Sequence, residues 1–227
     1  MRYKYLSYEI KESIPVYGKR AMVNMNPVRS IKDGDTANVY EFTMQNHWGT
    51  HVDAPRHFFD KGKGICDFPP DHWIFDNPQI VEVRLSPGEI LTNNGWKDDI
   101  DPGTDILLFR SGWNNFRNEE KYFNNNPGID PSVGTFIREK FTNIKAVGID
   151  WISVSAYRKR DLGREAHRKF LNPEGINDPV LLVEDMDLSA PGILNGLIVV
   201  PMRMDVFDSA PCTVIGRFDD QDNNFRF

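Results

Sequence analysis

The sequence predicts a mixed α/β (α+β) domain in which a mixed β-sheet core is flanked by helices. Three observations predict it. Short runs rich in β-branched and aromatic residues outnumber helical stretches. The two kinds of segment are interleaved along the chain. No internal repeat or low-complexity linker divides the 227 residues, so one domain is expected over 1–227.

Taken in order, strands are expected at 3–10, 37–44, 79–85, 105–110, 146–150, 179–183, 197–202 and 213–217, each bounded by turn formers. Helical periodicity appears at 114–123, 131–141 and 161–171. The middle helix opens on Pro131, suited to a first turn, and sets Val133, Phe136, Ile137 and Phe141 on one apolar stripe. Asn93-Asn94-Gly95 and Asn124-Asn125-Asn126-Pro127-Gly128 read as loops. Asp98, Asp99, Asp101 and Asp105 superficially suggest a calcium loop. They lack its glycine and terminal glutamate, so a solvated turn is expected.

Composition narrows the partners. A net charge of -6 argues against nucleic acid or an anionic membrane. No stretch approaches the roughly 20 apolar residues that span a bilayer, and the first residues lack the apolar run of a signal peptide. A cytoplasmic enzyme is the expectation. Cys66 and Cys212 form no paired-ligand pattern and are expected to be reduced and partly buried.

The chemistry concentrates in His47-Trp48-Gly49-Thr50-His51-Val52-Asp53-Ala54-Pro55-Arg56-His57. Three of the chain's 5 histidines lie here beside Asp53. Imidazole plus carboxylate is the ligand set for Zn²⁺, Mn²⁺ or Fe²⁺. Gly49 and the Asp53-Ala54-Pro55 step oppose a helix, so this is not a helical two-histidine site. Fully extended, His47 and His51 would stand about 13 Å apart at ~3.3 Å per residue, too far to share an ion. The chain must fold back between them, and Gly49 permits it. His51 and Asp53, two apart, then share one strand face. Three ligands leave an ion open for catalysis, and a further histidine can move protons. The bland alternative is a set of surface histidines with no metal.

The pattern His-x-Gly-Thr-His-x-Asp-x-Pro-x-His resembles the signature of the putative-cyclase family of metal-dependent hydrolases, which includes bacterial kynurenine formamidase and isatin hydrolase. Residues 47–57 match it at every fixed position. Weaker likenesses run through Ile14-Pro15-Val16-Tyr17, Arg110-Ser111-Gly112-Trp113, Gly148-Ile149-Asp150 with Ser153, Ala166-His167, Glu184 and Ala210-Pro211. The resemblance implies a cyclase-like fold. It implies that His47, His51 and Asp53 hold a first metal, and that Asp53, His167 and Glu184 hold a second, with Glu184 also reaching the first. It implies His57 as proton donor and acceptor and a homo-oligomer, dimer or tetramer, and it offers Tyr17 as an aromatic substrate wall, with a packed core tyrosine as the equal alternative.

The family's early turn commonly carries tryptophan followed by Pro-Gly-Asp, where this chain reads Tyr17-Gly18-Lys19-Arg20. The 172–178 segment is longer than expected and is a candidate to reshape the pocket rim or the second metal site. His72 is expected to be structural, and no base is spaced to activate Cys66. A divalent ion lowers the pKa of bound water from near 15.7 to about 7. The expected activity is thus metal-dependent hydrolysis of a small-molecule amide, one or two ions per chain, zinc before manganese. N-formylkynurenine is the leading substrate and a cyclic amide such as isatin the alternative. A non-catalytic metal-binding domain is the competing class.

Overall fold

The computed structural model describes residues 1–219; the last residues of the expected 1–227 domain lie outside the described residues. In chain order β1 (Arg2–Tyr5) precedes two hairpins, β2 (Ser13–Val16) with β3 (Lys19–Met22), and β4 (Asn24–Arg29) with β5 (Val39–Thr43). Then come β6 (His51–Asp53), β7 (Ile74–Phe75), β8 (Pro78–Glu82), β9 (Ile90–Leu91) and β10 (Ile106–Arg110). The remaining elements are α1 (Lys121–Asn124), β11 (Gly128–Ile129), α2 (Pro131–Lys140), β12 (Ala146–Ile149), α3 (Arg160–Leu171), β13 (Leu181–Glu184), β14 (Ile193–Pro201) and β15 (Ser209–Asp219).

One sheet organises the fold, in the order β7-β14-β15-β6-β13-β12-β10-β8, with β1 also on β15. Its two halves differ in direction. β8, β10, β12 and β13 are mutually parallel, whereas β6, β14, β15, β7 and β1 join antiparallel. The sequence explains the division. Ile106-Leu107-Leu108-Phe109 is apolar without alternation and is wholly buried, as a parallel strand covered on both faces must be. β15 instead alternates between buried and more open positions, and Ala210, Cys212, Val214 and Phe218 turn inward.

Helices α2 and α3 make the β10–β12 and β12–β13 crossovers of the parallel half and pack on each other. Asp130 caps α2 by accepting from the Ser132 amide at 2.9 Å, Pro131 opens it, and Val133 and Ile137 are fully buried. Burying a side chain of this size contributes about 1.5–3 kcal/mol. Among the described residues no helix is long and apolar enough to cross a membrane.

The expected mixed sheet with interleaved helices is what the chain forms, and several element bounds are corrected. The 3–10 strand ends at Tyr5: the Leu6 amide still donates to the Val214 carbonyl of β15 at 2.8 Å, but the Leu6 carbonyl accepts from Asp187 and Ser7 bridges to Met186. The 114–123 helix is broken into a 3-10 turn at Trp113–Phe116 and the short α1. The break lets Arg117 pair with buried Asp185 at 2.7 Å while the Tyr122 hydroxyl donates to the same carboxylate at 2.5 Å. The 37–44 strand forms, but in the β4–β5 arm rather than in the main sheet.

Candidate metal centre

β6 is where the two halves of the sheet meet. It pairs with β13 on one side and β15 on the other, placing His51 opposite Glu184 and Asp53 opposite Leu182 and Ser209. Gly49 adopts a left-handed φ of 72°, and the reversal brings the His47 and His51 rings to a centroid distance of 5.3 Å. The turn is tied down by the Thr50 hydroxyl, which donates to the Asp185 carbonyl at 2.5 Å and accepts from the Tyr8 amide at 3.0 Å. His167 arrives from the buried face of α3, and Glu184 from the end of β13. The site therefore opens at the carboxyl ends of the parallel strands, the usual crevice of such sheets.

Each group is aimed. The Nδ1 of His51 lies 2.9 Å from the Gly49 carbonyl and that of His167 lies 2.8 Å from the Gly163 carbonyl. A carbonyl can only accept, so each Nδ1 carries a proton and each Nε2 is the nitrogen turned inward, its lone pair open to an ion once that nitrogen is deprotonated. The His51 Nε2 stands 3.6 Å from Asp53 Oδ1 and 3.5 Å from Glu184 Oε2. The His167 Nε2 stands 3.6 Å from Asp53 Oδ2 and 3.3 Å from Glu184 Oε1. His47 brings Nδ1 to 3.1 Å from Asp53 Oδ1. Glu184 Oε1 is steadied by the Val154 amide at 2.7 Å and the Ser153 hydroxyl at 3.2 Å.

Asp53 tests whether these residues fit an ion. It is fully buried, and among the described residues neither carboxylate oxygen accepts a hydrogen bond of proper geometry. Such an orphaned carboxylate is costly unless a cation completes it. Two atoms each ~2.1 Å from one ion at a tetrahedral angle stand ~3.4 Å apart, the spacing seen around Asp53. The donor set of imidazoles and carboxylates suits a divalent transition ion. Both His51, Asp53 and Glu184 and a second trio, His47, Asp53 and His57, lie close enough to share one.

Charges agree. Burial alone would depress His47, but Asp208 and Asp53 outweigh it and raise its pKa to about 10. Burial is likewise overcome at His167, where Asp53 and Glu184 hold it at about 10, and His51 is raised in the same way. Burial would raise Glu184, yet His167 and His51 bring it down to about 2, and Asp53 is held well below the usual carboxylate range by His57, His167 and His47. The pocket thus wants positive charge, which protons supply in the absence of a metal.

Asp208, just before β15, escapes a sequence reading. Its Oδ2 lies 2.8 Å from His57 Nδ1 and 3.2 Å from His47 Nε2, while Oδ1 accepts from Asn46 at 2.7 Å. Burial opposes its ionisation, but the two histidines hold its carboxyl far below the usual range. Its separation from His57 by 151 residues hides it from any spacing argument. The one local signal is its place two residues before Ala210-Pro211.

Tyr17, His47, His51, Asp53, His57, His167 and Glu184 all line a single cavity of ≈ 290 Å³. Tyr17 meets Tyr157 edge-on at 5.3 Å, and Phe58 stacks on His167 at 5.0 Å, so both walls are aromatic. The 172–178 segment lines none of it, which corrects the expectation that it reshapes the rim. Arg138 pins that segment over α2, donating to the Asn172 and Asn177 carbonyls. His72 lies away from the cavity beside Phe68 and Trp73. Cys66 and Cys212 are free thiols.

The model of the cyclase family, described as "Putative cyclase", matches residues 5–156. The kynurenine formamidase of Geobacillus thermodenitrificans (strain NG80-2) is 27% identical over 165 residues, 72% of this chain and 76% of that protein. A structure described as a "Potential Metal-Dependent Hydrolase With Cyclase Activity" superposes with a TM-score of 0.73 at 18% identity, covering 95% of this chain and 96% of the other. Isatin hydrolase A from Labrenzia aggregata, bound to benzyl benzoate, has a TM-score of 0.73 at 17% identity over 95% and 93% of the two chains.

Proposed function

The chain belongs to the cyclase family, and from that premise we propose that it is a metal-dependent hydrolase cleaving the C–N bond of a formamide. The observation that carries this is Asp53, a buried carboxylate that accepts no well-formed hydrogen bond among the described residues, ringed by His47, His51, His167 and Glu184 on a cavity wall. His47, His51 and Asp53 would hold one divalent ion, and Asp53, His167 and Glu184 a second, zinc before manganese; bound there, the metal would lower the pKa of a water and polarise a carbonyl.

The side chains do the rest. Asp208 accepts from His57 Nδ1 and so leaves Nε2 free to act as a base. His57 takes the proton of the attacking water as the C–O bond forms, then delivers it to the nitrogen as the C–N bond breaks. Amines leave poorly without that proton. The products are a free amine and formate. Phe58, Tyr17 and Ile152 give the flat apolar walls that an aryl group needs. N-formylkynurenine is the substrate we favour, and the protein acts as a homo-oligomer.

A panel of N-formylkynurenine, formanilide and isatin, assayed with added Zn²⁺ or Mn²⁺ and again after chelation, tests the reading. Formamide turnover abolished by chelator and restored by metal supports it. Turnover indifferent to chelation, or isatin opened in preference to the formamides, overturns it. Light scattering at micromolar concentration tests association, and a monomer rejects it.

A further inference from the structure

The mouth of the cavity is cationic in a chain whose net charge is -6. Arg160 and Arg164, one turn apart on α3, both line it. Arg160 is the first residue of α3, directly after Arg158 and Lys159. Positive charge at a helix N-terminus opposes the helix dipole and costs stability, so helix formation does not account for the cluster.

Arg160 is also held ready. Its Nε donates to the Tyr157 carbonyl at 3.3 Å, and its guanidinium lies 4.1 Å from the Tyr157 ring centroid and 5.9 Å from that of Tyr17. Among the described residues it has no carboxylate partner, whereas Arg164 pairs with exposed Asp161 at 2.6 Å and Arg168 with Glu165 at 3.6 Å. A guanidinium held over an aromatic ring by cation–π attraction, with one N–H spent on a carbonyl, keeps its other N–H groups for a further acceptor. That fork matches a carboxylate.

We infer that Arg160, with Arg164 beside it, forms an anion subsite at the cavity mouth and sets the preference for a substrate whose tail carries a carboxylate over an uncharged one. The inference rests on the hydrolase reading for the scissile end only. Size agrees, because ≈ 290 Å³ sits at the low end of ligand pockets and takes an aromatic ring with its amide, leaving a charged tail to reach the rim. Tyr17 and Tyr157 pack edge-on under the guanidinium and connect the two ends.

Arg160→Gln and Arg160→Lys are the test, since the side chain is exposed and its loss leaves the core intact. The quantity read is the ratio of kcat/KM for N-formylkynurenine to that for uncharged formanilide. A charge-assisted hydrogen bond to a carboxylate is worth enough for that ratio to fall roughly ten- to a hundredfold in Arg160→Gln, with partial recovery in Arg160→Lys. A ratio that stays within about twofold of wild type overturns the subsite, whether both rates fall together or neither falls. Calorimetric titration with benzoate and with benzamide gives the same comparison without turnover. If the wild type hydrolyses neither formamide, the formamidase reading fails, and the benzoate-to-benzamide preference of wild type against Arg160→Gln still decides the subsite. Loss of that preference supports it, and an unchanged preference removes it.

Discussion

Replacing Asp208 with alanine separates the aiming of His57 from the holding of metal. The wild-type carboxylate accepts from His57 Nδ1 at 2.8 Å and approaches His47 Nε2 at 3.2 Å. A hydrogen bond to a charged group contributes about 1.5–3 kcal/mol when well shielded. Here the His57 and Asp208 side chains are 27% and 30% exposed, so solvent screening cuts the figure to roughly 1–2 kcal/mol. Without its acceptor the His57 ring loses both its preferred tautomer and its orientation. The expected loss in kcat is therefore about 5–30-fold at saturating metal. The His47 contact adds a second effect, since removing a partner behind a ligand weakens metal affinity by roughly tenfold or more. Formamide hydrolysis across a metal titration, with affinity from competition against a chromogenic chelator, reads the two effects apart. Asp208→Asn keeps an acceptor for Nδ1 and should recover part of kcat. A kcat for Asp208→Ala within twofold of wild type at saturating metal refutes the role given to this carboxylate.

Three further outcomes are expected. His57→Ala should lower turnover by roughly 10²–10⁴-fold while metal content stays near wild type; ion loss in proportion to activity would make His57 a ligand, as its closeness to His47 and Asp53 allows. In the metal-free protein His47 and His167 are raised to about 10 by their carboxylates against the effect of burial. Their stabilising contribution is complete below the ordinary value of about 6.5 and drains away as pH rises toward 10. An entering ion must displace those protons, so affinity falls as pH falls, by about tenfold per pH unit per proton; calorimetry in two buffers should count proton release, and none released sinks the argument. Gly163→Ala should lower the melting temperature although alanine favours a helix by about 1 kcal/mol, because its Cβ would occupy the place of the Ser155 side chain and push α3, with His167, off the site. A rise in melting temperature with unchanged metal affinity would contradict this.

What sequence could and could not foresee has a physical basis. The 47–57 segment was legible because its logic is local: a glycine that reverses the chain, then two candidate ligands on one strand face. The strands at Ile106–Arg110 and Ala146–Ile149 and the helices at Pro131–Lys140 and Arg160–Leu171 were legible because apolar spacing alone identifies them. The hairpins before residue 43 were not, apart from one run. Pro15 and Pro27 interrupt them, and most of their residues face solvent, leaving little alternation to read. β15 is longer than the 213–217 run because Pro211 sits opposite His51, at the margin of the β6 pairing, where its missing N–H costs nothing. Asp208 depends on that register, and register between distant strands is a property of the whole sheet.

β6 is three residues long and is clasped between β13 and β15, so the order of events during folding matters. The ligands it carries are made early, but their partners Glu184 and Asp208 are translated far later. Such long-range pairing is slow, because loop closure must precede any favourable contact. Until β15 docks, the histidine-rich segment lacks the strand that sets Asp208 beside His57 and His47. A chain shortened before residue 208 should keep most of the parallel half of the sheet yet lose one wall of the β6 clasp. On the metal-bound reading proposed above, supply of metal during synthesis should be a variable of yield in its own right, separate from the affinity of the finished site.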